Sequence, residues 1–111
     1  MVLMTYDDWD AVPDFHVVAD PDADPPRVTV TGEIDLASCA AFRDALNEAV
    51  QSGAREIEVD FKRVTFMGST GIRELVRASQ VVDRVVVRSP SSIVRRALET
   101  AAVDKSVAIE D

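Results

Sequence analysis

The chain has 111 residues, 47% of them hydrophobic, which is enough for one domain with one core and too apolar for a disordered chain. Twenty acids against twelve bases give a net charge of −8 and a pI near 4.5, a balance that disfavours direct nucleic-acid binding, because phosphates are neutralised by basic surface. No run approaches the roughly 18 apolar residues of a membrane helix, the acidic start lacks the positive segment of a secretion signal, and the single cysteine, Cys39, forbids an internal disulfide. A cytoplasmic protein with no membrane insertion is expected.

The charge is concentrated at one end. Residues 1–35 hold nine acids and one base, Arg27, whereas acids and bases balance over residues 36–111. Residues 1–13 mix Tyr6 and Trp9 with acids and show no period, so they read as an acidic N-terminal arm, with the domain over 14–111. Residues 15–19 alternate weakly, as an edge strand does. Three prolines within residues 20–26 make a turn, since proline cannot donate to a ladder. Residues 27–31 alternate at period two, the pattern of a half-buried strand. The two strands form a hairpin.

From Leu36 the period becomes helical. Cys39, Phe42, Leu46, Ala49 and Val50 share one stripe, and Gly53 supplies the stop. Residues 56–61 alternate again, with Glu56, Glu58 and Asp60 on one face, read as solvated and implying a sheet face open to water. Residues 64–67 follow as a further apolar piece. Ile72, Leu75, Val76 and Ser79 mark a second helix. Val85, Val86 and Val87 read as a central strand covered on both faces. Ser89 is the expected N-cap of a third helix, with Pro90 in its first position, and Ile93, Val94, Ala97, Leu98 and Ala101 as its stripe. Residues 107–109 form a last strand. This order predicts a single α/β domain with a mixed, mostly parallel sheet, an N-terminal antiparallel hairpin and three to four helices.

Most site chemistry is excluded by what is missing. One histidine, His16, and one cysteine leave no tetrahedral zinc set. A serine triad would need His16, which reads as a surface residue of the edge strand. Gly68-Ser69-Thr70-Gly71 lacks the lysine and spacing of a phosphate loop. The chain reads as a binding protein with no cofactor, and not as an enzyme. What remains is that corner itself. Gly71 in a first helical turn costs roughly 1 kcal/mol against alanine, so something is expected to approach its backbone closely. Ser69 either caps the helix or offers its hydroxyl to a kinase.

The phrase Val30-Thr31-Gly32-Glu33-Ile34-Asp35, followed by Val59-Asp60-Phe61-Lys62-Arg63-Val64-Thr65-Phe66-Met67-Gly68-Ser69-Thr70-Gly71, resembles a STAS domain of the anti-anti-sigma factor type, also termed anti-sigma factor antagonists. The likeness covers residues 14–109. It implies a protein that binds an anti-sigma factor serine kinase, frees a sigma factor for transcription, and is switched off by phosphorylation at Ser69, with Thr70 as the alternative. It also implies a partner-binding surface of Glu33, Asp35, Gly68, Ser69, Thr70, Gly71 and Arg73. The chain departs from the family in three places. Gly68 stands where an aspartate usually precedes the serine, Gln80-Val81-Val82-Asp83 replaces a glycine-rich link, and no C-terminal helix follows Asp111. An alternative reading is a STAS-like subunit of a membrane transport complex that docks on an ATPase without modification. A weak homodimer stays open. Within the main reading, Ser69→Asp is expected to weaken partner binding and Asp35→Ala to do so without lowering the melting temperature.

Overall fold

The computed structural model describes residues 15–111, so the acidic arm over 1–13 and Asp14 lie outside the described residues. Period-two alternation builds β1 (His16–Asp20) and β2 (Arg27–Ile34), paired antiparallel with His16 opposite Thr31 and Asp20 opposite Arg27. Helix α1 (Cys39–Val50) crosses to β3 (Glu56–Met67), α2 (Ser69–Ser79) to β4 (Arg84–Arg88), and α3 (Ser92–Thr100) with a short 3-10 turn (Val103–Lys105) to β5 (Ala108–Glu110). Strands β2 to β5 are parallel neighbours, and the spatial order follows the chain order. The expected mixed sheet with its hairpin is the observed one.

All three helices contribute to one core. Val28, Val30 and Ile34 of β2, Ile57, Val59, Phe61, Val64 and Met67 of β3, and Val85 and Val87 of β4 meet Phe42 and Leu46 of α1, Leu75 of α2, and Val94 and Leu98 of α3. The rings of Phe42 and Phe61 tilt against each other with centroids 6.0 Å apart. Each side chain buried this completely contributes about 1.5–3 kcal/mol. Among the described residues, no helix covers the other face of the sheet.

That open face departs from expectation. Glu58 is not solvated: its side chain is only 5% exposed, held by Nε of Arg27 at 2.7 Å and by Nε of Arg88. Burial alone works to push this carboxyl up, but the hydrogen bonds from Arg88 and Arg27, with their charges, outweigh it and hold the group below the usual carboxylate range. Arg84 extends the network to Glu56 and Glu110. Val86 lies on this face too, its register partners being Glu58 and Ala108, so β4 is covered by helices on one side and by paired charges on the other.

Other expectations shift in detail. The two apolar pieces of residues 56–67 are one strand. Its register against β2 slips twice, between Thr29 and Thr31 and again between Gly32 and Glu33. At each slip β3 carries one extra residue, a bulge that leaves Lys62, Arg63, Thr65 and Phe66 outward while Val64 and Met67 stay in the core. Gly32, at the second slip, has φ +102°, which a side chain would strain. Gly53 stands at φ +86° just past α1, as a helix stop should. Cys39 is the first residue of α1 and only partly buried. The buried face of α2 is Gly71, Glu74, Leu75 and Ala78, one position round from the expected stripe. Ser91, not Ser89, caps α3, its hydroxyl accepting from Val94 N–H, because Ser89 takes a left-handed φ of +53°. Ile93 is 63% exposed rather than in the core.

Candidate functional site

The carboxyl ends of β2 and β3 bring two corners together. Gly68 N–H, just past β3, donates to the Ile34 carbonyl at the end of β2 over 2.8 Å. Asp35 therefore leaves one strand beside the point where Ser69 begins α2. Both corners lie at the end of the sheet where β1 starts, since His16 pairs with Thr31.

The Asp35 corner is a closed turn. One carboxylate oxygen, Oδ1, accepts from the Ala37 amide at 3.0 Å and the Ser38 amide at 3.1 Å, and lies 3.2 Å from the Ser38 hydroxyl oxygen. Ser38 Oγ in turn donates to the Glu33 carbonyl at 2.7 Å and accepts from the Asp35 amide at 3.0 Å. Ser38 is buried, whereas Asp35 keeps partial exposure. This is an Asx-type turn that satisfies orphan amides ahead of α1. The expectation that Asp35→Ala costs no stability is thereby corrected, because the carboxylate shapes its own loop.

At the second corner Gly68 is the N-cap and no side chain caps α2. Its carbonyl accepts from Gly71 and Ile72. Ser69 is the first helical residue, exposed, and its hydroxyl makes no hydrogen bond among the described residues. The capping explanation of Ser69 therefore fails. Thr70 is half-buried and Arg73, one turn on, is exposed.

Gly71 does not belong to the expected partner-binding surface. It is buried, and a Cβ there would stand 2.5 Å from Ile34 Cγ2 and 3.2 Å from Met67 Cε. What approaches its backbone is this domain's own core, so its part is to seat α2 against β2 and not to face a partner. A Cβ at Gly68 would meet nothing nearer than 3.5 Å.

Around the corners stand two apolar side chains that the sequence reading passed over. Leu36 is 82% exposed and Phe66 46%. Phe66 lies across the strands from Glu33 and its ring edge flanks Gly68. A signal for Leu36 existed, a large apolar residue outside the α1 stripe. Phe66 had none, since its outward turn comes from the bulge. The surface thus combines Glu33, Asp35, Leu36, Phe66, Gly68, Ser69 and Arg73, two acids and two apolar knobs around a free hydroxyl.

Comparison with known proteins adds a family. A profile of the family described as Mlab, STAS domain, matches residues 17–110. The Mycobacterium tuberculosis protein named anti-sigma-F factor antagonist RsfB is 30% identical over 82 residues, 71% of this chain and 67% of that one. An anti-sigma factor antagonist from Mycobacterium paratuberculosis superposes with a TM-score of 0.79 at 22% identity, covering 89% of this chain and 87% of that chain. The anti-sigma factor antagonist SpoIIAA superposes in its unphosphorylated form with a TM-score of 0.66 at 20% identity over 86% of each chain. In its phosphorylated form, from Bacillus, the values are 0.62 and 19%, over 85% of this chain and 90% of that one.

Proposed function

We propose that this chain, which belongs to the STAS domain family, is an anti-sigma factor antagonist that binds an anti-sigma factor serine kinase through the Asp35–Ser69 surface and is released when Ser69 is phosphorylated. The observation that carries the reading is the exposed, uncapped hydroxyl of Ser69 beside the Asp35 corner. The name of the mycobacterial relative and the fold of SpoIIAA support it.

Binding is a matter of fit. Leu36 and Phe66 offer apolar contact, while the rim acids Glu33 and Asp35 suit a basic partner surface and steer its approach. In the covalent step Ser69 Oγ attacks the γ-phosphorus of ATP held by the kinase. The new O–P bond forms as the bond to the β–γ bridging oxygen breaks, ADP leaves, and the hydroxyl proton passes to a base on the kinase. The product carries about −1.5 to −2 charge. An anion at a helix N-terminus is favourable by roughly 0.3–1 kcal/mol, so the domain stays folded and the effect falls on the contact. A dianion inside a closely packed interface costs desolvation and displaces neighbours.

One residue favours a second reading, a transport-complex subunit docked on an ATPase without modification: Gly68 stands where the antagonist pattern has an acid. The purified chain, incubated with its captured partner and ATP and then weighed intact, decides between them. A single added phosphate that vanishes in Ser69→Ala supports the antagonist. A stable complex with no mass gain overturns it.

A further inference from the structure

Beside Ser69 lies a cleft of about 550 Å³ between α2 and α3, lined by Ser69 and Ile72 from one helix and by Ile93, Arg96, Ala97 and Thr100 from the other. Its floor is apolar, and among the described residues its one charged lining residue is Arg96. Of the ten arginines, Arg27, Arg55, Arg77, Arg84, Arg88 and Arg95 hold carboxylates. The other four, Arg43, Arg63, Arg73 and Arg96, hold none among the described residues, and of these Arg73 and Arg96, both exposed, belong to α2 and α3. Arg73 follows Ser69 by four positions, and helical side chains lean toward the N-terminus, so it projects back over the turn that carries Ser69.

Glu99 of α3, three positions on from Arg96, is exposed and holds no cation among the described residues, whereas three other nearby charges are committed. Glu74 of α2 is turned inward and taken by Arg77, Arg95 of α3 is taken by Asp111, and Asp35 of the neighbouring corner has Oδ1 committed to its turn. Arg96 therefore shares the cleft lining with Ser69, and Arg73 stands one helical turn on from Ser69, both uncommitted.

We propose that a phosphoryl group on Ser69 is held within the chain itself, by Arg96 from across the α2–α3 cleft and by Arg73 from one turn on, so that modification closes the cleft. Guanidinium is suited to this task, since its planar fork meets two phosphate oxygens at once. The clamp gives the switch an internal half: the dianion draws both cations over Ile72 and Ile93 and changes the surface a partner would meet. The inference rests on Ser69 being the modified residue, but not on the identity of the kinase or on any partner.

The test uses the full chain with phosphoserine placed at position 69 by genetic-code expansion, without kinase or partner. Phosphorus NMR follows its titration. A free phosphoserine titrates near 6, and a clamped one is expected roughly 0.5–1 lower, in the direction that a nearby opposite charge imposes. Arg96→Gln should return most of that difference, Arg96→Lys only part, and Arg95→Gln none. The phosphorylated parent should also melt above the unmodified chain, a gain that Arg96→Gln removes. A phosphate titrating near 6 in the parent, or one indifferent to Arg96→Gln, overturns the clamp. Partner release on phosphorylation is read separately by titration and can hold without it.

Discussion

Removing the Asp35 carboxylate should both loosen the fold and weaken docking, and two substitutions separate those effects. Asp35→Ala strips two amide hydrogen bonds from Oδ1 and leaves the amides of Ala37 and Ser38 without that acceptor. The Ala37 contact is exposed and water replaces it, whereas the Ser38 contact is partly buried. The loss therefore matches that of an N-terminal cap, about 1 kcal/mol within a range of roughly 0.5–2. For a domain of this size that lowers Tm by about 4–8 °C per kcal/mol. Asp35→Asn keeps an acceptor oxygen in the same place and removes only the charge, and asparagine serves as well as aspartate in such positions. It should melt close to the parent, so any loss of partner affinity it shows reports the charge alone. Differential scanning calorimetry of the three proteins is the assay. An Asp35→Ala protein melting with the parent, or an Asp35→Asn protein melting as low as Asp35→Ala, would refute the reasoning.

Glu58 makes the domain acid-sensitive. Its carboxyl is held low in the folded state, so its contribution is complete above the ordinary value near 4.5 and is lost as pH falls through the folded value. Glu58→Gln should cost about 1–3 kcal/mol at pH 7, because the freed Arg27 and Arg88 are half-exposed and regain water. It should also flatten the acid limb of a stability-against-pH curve measured by urea unfolding. Gly71→Ala adds helix propensity worth about 1 kcal/mol but drives a methyl into Ile34, where overpacking costs about 1–3. Net destabilisation in the same unfolding assay is expected, and a more stable variant would contradict the packing role. Gly68→Asp has room for its side chain and gains a helix cap, so it should fold, melt marginally higher by a few tenths of a kcal/mol, and be phosphorylated faster by the partner kinase.

What the chain reveals of its own fold depends on where one period holds. The hairpin and the three helices keep period two or 3.6, since each buries one face along its length, and β4 reads from a continuous apolar run because both its faces are covered. Strand β3 does not. Its two bulges insert residues at Lys62-Arg63 and Thr65-Phe66, so the alternation breaks although the strand continues. Nor could Glu58 be read as buried, because Arg27 and Arg88 reach it from 31 and 30 residues away. The Ser69 corner was legible because Gly71 is out of place in a helix start. The reason for that glycine was not, since Ile34 belongs to another strand. Asp35 was legible as a position and not as a turn, its bonding being decided by Ser38 and the course of the backbone.

The proposed switch turns on a single hydroxyl, that of Ser69. The direct measurement is a calorimetric titration of the parent, Ser69→Ala and Ser69→Asp against the anti-sigma factor captured from the same cells. Parent and Ser69→Ala should bind alike, and Ser69→Asp at least tenfold more weakly, about 1.4 kcal/mol. Three equal affinities, with all three proteins folded, would contradict it.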